Sequence, residues 1–293
     1  MGAANVIPGV SGGTIALITG IYEELIDSIK SFDLNAIKLL LKGNLKAFLK
    51  HINFNFLFSV FLGVAVSIIS LAKVLEFLFK QNELLVWSFF FGLILSSIYY
   101  VGKMVKHWTI KSYSTLIIGT TIAIVISFLK PANENDAIWY LFICGIVAVS
   151  SMILPGLSGS YVLILMGNYQ LIMLRSVSDP IHHIDILLPV IFGAIIGFLL
   201  LSHGISYILK KHYDATIALL TGFVIGSLLI IWPWKTAAET IMGRNGETKI
   251  ISYQWEVPDF SVASNLNALL LIIIGIITVW GIEKMGSLIS SNN

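Results

Sequence analysis

The chain carries one short motif twice, and both copies lie inside apolar sequence. Residues 8–14 read PGVSGGT and residues 155–161 read PGLSGSY. Each copy is followed at the same distance by Gly-x-Tyr, at residues 20–22 and 167–169. Hydrocarbon offers no water to replace the backbone hydrogen bonds that proline and glycine break, so a break at membrane depth needs a reason. A repeated break of this kind predicts a transporter site built from broken helices.

Composition places the chain in a membrane. Of its 293 residues, 57% are hydrophobic and only 12% are charged, and the mean hydropathy is +0.89. Soluble domains carry about 25% charged residues, so we predict an all-α polytopic membrane protein. The single cysteine, Cys144, lies in an apolar run, which excludes a disulfide framework and a thiol–metal site. The N-terminus lacks the basic region that begins a cleavable signal peptide.

Six apolar runs are long enough to cross about 30 Å of hydrocarbon. They cover residues 54–79, 84–102, 113–130, 186–209, 215–234 and 264–282. The two stretches that contain the Pro-Gly break, 2–29 and 138–174, are predicted to be re-entrant hairpins, with one kinked span as the alternative for each. The second stretch is about 37 residues long, which suits two short arms better than one span.

The internal repeat extends beyond the motif. Four residues of the first half recur 130 positions later, whereas the motif copies are 147 positions apart, which indicates a 17-residue insertion in the first half. The recurring residues are Gly63, Lys80, Gly92 and Ser97, matched by Gly193, Lys210, Gly222 and Ser227. Residues 1–135 and 136–293 are therefore predicted to be two repeats, each a re-entrant hairpin followed by three spans. Because three is odd, the halves are predicted to be inverted relative to each other.

Lysine placement predicts the orientation in the membrane. Eleven lysines fall on the side where the first hairpin opens, whereas most acidic loop residues fall on the other side. The positive-inside rule makes the lysine-rich side cytoplasmic, so both termini are predicted to be cytoplasmic. The longest loop, residues 235–262, is then predicted to face outward.

The insertion has a pattern of its own. Lysines recur every four residues, at Lys38, Lys42, Lys46 and Lys50, beside an apolar stripe. This pattern predicts a basic amphipathic helix over residues 33–50 that lies at the cytoplasmic interface. The lysines either anchor the helix by placing their stems along apolar surface or bind anionic membrane lipids as partners.

The motif residues suit an anion. Proline ends the incoming arm, glycine permits close backbone approach, and the first N–H groups of the outgoing helix have no partner inside it. With added hydroxyl donors, such a site binds phosphate well; tight helix packing by small residues is the alternative. The candidate binding residues of the two loops are Pro8, Gly9, Ser11, Gly12, Gly13, Thr14, Pro155, Gly156, Ser158, Gly159, Ser160 and Tyr161.

Residues 2–26, GAANVIPGVSGGTIALITGIYEELI, resemble the signature of the bacterial polyprenyl-phosphate transporter family, and the second copy fits it as well. The resemblance implies recycling of undecaprenyl phosphate, the lipid carrier of cell-wall precursors, from the outer to the inner leaflet of the bacterial plasma membrane. Asn5 stands where the family usually carries Asp. Seven residues precede Pro8 against about 17 apolar residues before Pro155, which predicts either a short first arm or a start further upstream.

Five further residues complete the predicted substrate-binding set: Asn5, Tyr22, Glu23, Tyr169 and Arg175. Glu23 and Asp27 share a helix face after the first motif, with Glu24 between them. These acids either carry a coupling proton near the phosphate or mark the point where the helix leaves the membrane.

Arg175 stands at the corresponding exit of the second copy. Its guanidinium suits phosphate capture, and an anchor in the headgroup layer is the alternative. Residues 179–185 hold two histidines and two aspartates, but their spacing fits no strong metal motif, so we predict a loop without a metal.

Three classes of function remain open. A lipid-phosphate translocase is favoured; a channel or exchanger for small inorganic anions would use the same helix ends. A membrane-embedded phosphatase or transferase is disfavoured because no HExxH motif or nucleophile–base pair is present. We therefore predict no enzyme activity, no cofactor beyond a coupling proton or other ion, and no nucleic-acid partner. The oligomeric state, the direction of transport and the driving ion stay open.

Overall fold

The structure is a computed structural model that describes residues 1–2, 12–177, 179–242 and 248–291. The first half contains α1 (Gly12–Ile18), α2 (Tyr22–Lys30), α3 (Leu34–Leu41), α4 (Leu45–His51), α5 (Phe54–Gln81), α6 (Glu83–Lys103) and α7 (Ile110–Ser127). The second half contains α8 (Ile138–Ile153), α9 (Gly159–Leu165), a π-helical segment (Gln170–Ser176), α10 (Ile184–Lys211), α11 (Tyr213–Ser227), β1 (Lys235–Met242), β2 (Thr248–Trp255) and α12 (Ala263–Ser291).

The helices confirm a multi-span membrane protein. Within the described residues, four helices are long and apolar enough to cross a membrane: α6, α7, α10 and the Ala263–Gly281 part of α12. The start of α5, joined to α4 across a 66° bend, makes a fifth candidate. Their outward side chains are apolar and exposed, as with Leu200 at 66%. Apolar surface on this scale indicates contact with lipid.

The predicted amphipathic helix over residues 33–50 is in fact two helices, α3 and α4. Asp33 caps α3 by accepting hydrogen bonds from the Asn35 and Ala36 N–H groups, both at 2.9 Å. Gly43 then adopts a left-handed backbone with φ of +69°, which ends α3 before α4 begins. The four lysines of the pattern are all exposed, beside exposed apolar residues such as Leu34 and Leu41.

The predicted outer loop 235–262 contains an antiparallel β-hairpin, so the chain is not purely helical. Strand β1 pairs with β2 in a register that sets Lys235 opposite Trp255. The hairpin packs onto the neighbouring helix ends: Trp255 Nε1 donates to the Leu229 carbonyl at 2.8 Å. The Lys235 ammonium lies 3.7 Å from the centre of the Trp87 ring. Burial lowers the pKa of this lysine to about 7, although Glu83 opposes the shift.

Two helix pairs repeat each other in their contacts. A side chain at Gly92 of α6 would collide with the Ile272 carbonyl of α12, and one at Gly222 of α11 would collide with the Leu116 carbonyl of α7. The reverse contacts match too: Gly275 lies against Phe89, and Gly119 lies against Leu219. Corresponding residues are 130 positions apart in α6 and α11, and 156 apart in α7 and α12. The pair α6–α12 is thus the counterpart of α11–α7.

The largest core cluster contains residues of α1 and α2. Leu17, Tyr22 and Ile26 are each 1% exposed and pack with residues of α10 and α11. A second cluster surrounds the second hairpin and joins Leu141 and Cys144 of α8 to the π-helical segment. The helices that follow the described part of each motif copy are therefore anchored in a core cluster.

Candidate functional site

The described part of the first motif copy begins at Gly12. Four predicted site residues lie outside the described residues: Asn5, Pro8, Gly9 and Ser11. The second copy is described throughout. Helix α9 of the second copy and helix α1 of the first have seven residues each. Helices this short have weak macrodipoles.

The two copies share one local turn. Gly20 and Gly167 both have φ of +74°, a left-handed conformation that glycine adopts without a Cβ penalty. After α1, the Ile21 N–H donates to the Ala16 carbonyl at 3.0 Å, and after α9 the Asn168 N–H donates to the Leu163 carbonyl at the same distance. These are the bonds of a Schellman helix end. The repeated Gly-x-Tyr is thus the point where each outgoing helix breaks before Tyr22 or Tyr169.

The structure brings the described part of the first copy against the break in the second copy. The Gly156 N–H donates to Thr14 Oγ1 at 2.9 Å, and this hydrogen bond is buried. The Tyr22 hydroxyl donates to the Ile153 carbonyl at 3.3 Å. A side chain at Gly13 would collide with that same carbonyl. Residues 142 positions apart are therefore in direct contact.

A cavity of about 250 Å³ lies beside the second copy. Its polar side chains are Ser158 and Ser160, whose hydroxyl oxygens are 2.8 Å apart. Ser158 precedes α9 but makes no capping bond with its side chain, so its hydroxyl is directed to Ser160. The remaining walls are apolar or glycine: Gly145, Ala148, Val149, Met152, Leu157, Gly159, Leu163, Ile172, Met173, Val190 and Ala194.

A second cavity of about 120 Å³ lies beside the first copy. Its lining is glycine and apolar side chains, with the tyrosine of the Gly-x-Tyr turn: Met1, Gly12, Gly13, Tyr22, Leu25, Ile26, Ile29, Val60, Phe61, Val64, Met152, Ile153 and Phe198. Met152 lines both cavities. Among the described residues that line the two cavities, none is a lysine or an arginine, so an anion there would depend on hydroxyl and backbone donors.

The second copy is braced by contacts that sequence reasoning did not identify. Asn168 is fully buried; its side-chain amide donates to the Asn135 carbonyl at 2.7 Å and accepts from the Asn135 N–H at 2.9 Å. The Tyr161 hydroxyl donates to the Ile126 carbonyl at 3.4 Å, towards α7. The sequence equivalent of Asn168 is Ile21, so the repeat gave no signal for this bond.

The three acids of α2 each have a partner on another element. Asp27 accepts from Lys210 at 2.7 Å and from Ser206 at 2.6 Å, both on α10. Glu24 accepts from the Asn53 side chain at 2.9 Å. Glu23 lies beside Tyr213 at the start of α11. These contacts hold the end of α2 against its neighbours.

Arg175 forms a two-pronged ion pair with Glu134. Its two terminal nitrogens lie 3.0 and 2.8 Å from the two carboxylate oxygens. Glu134 lies on the segment before α8, so the pair joins the end of the second hairpin to its beginning. Residues 179–185 lie apart from both cavities; His182 pairs with Asp179 at 2.9 Å. Within the described chain, no group of three or more His, Cys, Asp or Glu side chains could hold a metal.

Comparisons with known proteins agree on one family. Residues 1–249 match the family described as undecaprenyl phosphate translocase-like. A polyprenyl-phosphate transporter of Vibrio cholerae is 37% identical over 290 residues, which cover 97% of this chain and 93% of that protein. A polyprenyl-phosphate transporter of Staphylococcus aureus is 35% identical over 251 residues, covering 80% and 83% respectively. No solved structure matches the chain significantly.

Proposed function

This chain belongs to the undecaprenyl phosphate translocase-like family, and we propose that it carries undecaprenyl phosphate across the bacterial plasma membrane so that the lipid carrier can be reused in cell-envelope synthesis. The observation that carries the proposal is the contact of the two motif copies beside a cavity with hydroxyls at one point and apolar walls elsewhere. That lining suits a substrate with one phosphate and an isoprenoid tail. The activity is transport rather than catalysis.

The two PG(V/L)SG loops are proposed to hold the phosphate. Ser158 and Ser160 provide hydroxyl donors at the wall of the larger cavity, and charge-assisted hydrogen bonds are roughly twice as strong as neutral ones. The first loop is proposed to contribute the equivalent donors, with Ser11 as the counterpart of Ser158. The apolar walls disfavour a small hydrated anion, because such an ion would lose its water without replacement.

The halves are proposed to be inverted repeats with re-entrant hairpins. The reciprocal glycine contacts support a two-fold relation, because a pair α6–α12 matched by α11–α7 is what exchange of the two halves produces. A simple translation of one half onto the other would not exchange partners in this way. Together with the odd number of spans, this favours an axis that lies in the membrane plane.

Charged residues at the two exits are proposed to serve opposite steps. Arg175 would capture phosphate on the outer side, which requires Glu134 to release both guanidinium nitrogens. Glu23 would serve coupling or release on the inner side. We expect Glu23→Gln to leave lipid binding intact and to remove the pH dependence of transport; unchanged pH dependence would exclude this role.

The exposed lysines of α3 and α4 are proposed to bind anionic lipids on the cytoplasmic side. Each lysine near such a surface contributes about 1 kcal/mol. Changing Lys38, Lys42, Lys46 and Lys50 to glutamine should reduce the anionic lipid retained by the purified protein, and changing all four to arginine should not. If the two variants retain equal amounts of anionic lipid, the lysines act only as positional anchors.

Reconstitution tests the proposed substrate. Vesicles with the protein should move undecaprenyl phosphate between leaflets faster than protein-free vesicles, and they should not release trapped inorganic phosphate. Release of inorganic phosphate without lipid movement would favour the channel or exchanger instead.

Variants of the hydroxyl pair test the proposed site. We expect Ser158→Ala and Ser160→Ala each to lower lipid transport about tenfold, the effect of one hydrogen bond to a charged group, with little loss of thermal stability. Ser151→Ala is the matched control, because its buried hydroxyl donates to the Ala148 carbonyl at 2.7 Å and is absent from both cavity linings. If all three variants behave alike, the hydroxyl pair is not the phosphate site.

A further inference from the structure

The two cavities are counterparts of each other in the repeat. Gly12, Leu25 and Ile26 line the smaller cavity, and their equivalents 147 positions later, Gly159, Ile172 and Met173, line the larger one. The same holds on the neighbouring spans at an offset of 130. Val60 and Val64 of α5 line the smaller cavity, and Val190 and Ala194 of α10 line the larger. Each half therefore contributes equivalent residues, from the helices after its motif and from its next span, to one of the two cavities.

The two cavities meet at Met152, which lines both of them. In the chain next to it, Ile153 accepts from the Tyr22 hydroxyl, and Gly156 donates to Thr14. Thr14 follows Gly13, which lines the smaller cavity, and Gly156 precedes Leu157, which lines the larger one, so the contact between the motif copies lies between residues of the two linings.

The Thr14 hydroxyl accepts the hydrogen bond of the Gly156 N–H, a donor that a phosphate could use instead. Thr14 is fully buried, and a buried backbone N–H such as that of Gly156 must have a partner. A phosphate oxygen is charged and accepts hydrogen bonds more strongly than a hydroxyl does. Exchange of Thr14 for phosphate at the Gly156 N–H would break this contact without leaving that donor unpaired.

We propose that the two cavities are alternative seats for the same polyprenyl phosphate, and that Met152 and the Thr14–Gly156 hydrogen bond form the barrier that the phosphate crosses between them. The proposal rests on the proposed function for the identity of the substrate. It adds that Thr14 is a positioning residue whose hydroxyl holds the barrier closed when no phosphate is present.

Paired cysteine reporters can measure the state of the barrier. Val64→Cys and Ala194→Cys place one thiol in each cavity at equivalent positions, in a Cys144→Ala background that removes the native thiol. A small membrane-impermeant methanethiosulfonate reagent is added from one face of sealed vesicles at a time. With the barrier closed, we expect each reporter to react from one face, and the two reporters to react from opposite faces.

Two substitutions open the barrier by different means. Thr14→Val keeps the shape but removes the acceptor, which should raise labelling of both reporters from their protected faces about tenfold, the factor for one lost buried partner. Thr14→Ser keeps the acceptor and should behave like the parent. Met152→Ala truncates the residue that lines both cavities and should also raise labelling, whereas Val149→Ala, at a residue that lines only the larger cavity, should not.

The labelling is done without lipid substrate, so its outcome is independent of what the protein carries. Two outcomes contradict the barrier, even if thermal stability falls. Either the labelling of the reporters is unchanged in Thr14→Val and Met152→Ala, or the reporters react in none of the proteins. Added undecaprenyl phosphate should slow labelling of both reporters. If undecaprenyl phosphate fails to slow labelling while the variants behave as expected, the cavities do not bind this lipid and the proposed substrate is wrong. The barrier between the cavities would still hold.

Discussion

The two copies of the motif have the same local backbone and different surroundings. Both outgoing helices end in the same glycine turn, with φ of +74° at Gly20 and at Gly167. The described part of the first copy lies in the largest core beside a cavity of about 120 Å³, whereas the second lies beside one of about 250 Å³ with two hydroxyls. The repeated sequence therefore specifies the shape of the turn, and the neighbouring elements determine the chemistry around it.

The exits of the two copies also differ in charge. The helix that follows the first turn carries acids, and Asp27 pairs with a lysine of α10. The segment that follows the second turn carries Arg175, which pairs with an acid of the preceding loop. If the halves face opposite sides of the membrane, a phosphate approaching from either side meets a different charge. The two exits therefore differ in charge, although the repeat relates them by symmetry.

The largest effect should come from adding one methyl group to each turn glycine. Gly20→Ala should cost about 1–2 kcal/mol, because the left-handed backbone is strained but open space surrounds the new methyl. Gly167→Ala should cost more than about 4 kcal/mol or prevent folding, because its methyl would also collide with the Ala132 carbonyl. Thermal unfolding in detergent measures both variants; equal losses would mean that the two turns have equivalent surroundings.

Local sequence was sufficient to predict most spans, whereas the turns at Gly20 and Gly167 were not predicted although Gly-x-Tyr is repeated there. The apolar run 84–102 corresponds to α6 at Glu83–Lys103, and the run 186–209 to α10 at Ile184–Lys211. The run 215–234 corresponds to a shorter helix that ends at Ser227, ahead of Pro233, which cannot continue a helix. The β-hairpin was missed although Asn245-Gly246 separates its strands in the sequence, and that dipeptide is a strong hairpin signal.

The partners of the site residues could not be predicted in the same way. The residues of each pair are far apart in the chain, so no local pattern predicts the pairing. The pairs are Thr14 with Gly156, Arg175 with Glu134, and Asp27 with Lys210. The repeat gave no help here, because equivalent positions carry different residues: Tyr161 stands where the first copy has Thr14. Only the tertiary packing of these elements determines which side chains meet.

A moderate effect is expected at Arg175, at the exit that is proposed to face outward. Glu134→Gln removes the carboxylate that competes for Arg175, so uptake of lipid phosphate from the outer leaflet should rise severalfold. Arg175→Lys should lower uptake, because lysine lacks the planar two-pronged donor. Both changes should cost less than about 1 kcal/mol of stability, since the ion pair is partly exposed. If neither variant changes uptake, the ion pair serves only to brace the exit.

A small effect on stability is expected at two aspartates, one after each motif copy. Asp33 caps α3 and contacts His51 at 3.0 Å, whereas Asp179 contacts an exposed His182. Asp33→Ala should cost about 1 kcal/mol for the lost cap, and Asp179→Ala should cost almost nothing. Thermal unfolding at pH 7 compares them, and a larger loss for Asp179→Ala would contradict this ranking.

The Asp33 contribution should depend on pH. The Ala36 N–H, and then His51 and the Asn35 N–H, hold the pKa of the Asp33 carboxyl below its ordinary value of 3.8, although desolvation opposes the shift. Its stabilising contribution is thus present above pH 3.8 and is lost as the pH falls through that value towards the lower folded pKa. The difference between parent and Asp33→Ala should narrow in that acidic range; a constant difference would contradict the assignment.

The central claim is that the two motif copies are an inverted pair that faces opposite sides of the membrane. Phe32→Cys and Val177→Cys place a thiol just beyond each hairpin, at positions that are 43% and 52% exposed. Both are made in the Cys144→Ala background and labelled with an impermeant maleimide in sealed vesicles of known orientation. We predict that Phe32→Cys reacts from the cytoplasmic face and Val177→Cys from the outer face. Reaction of both from the same face would contradict the inverted repeat.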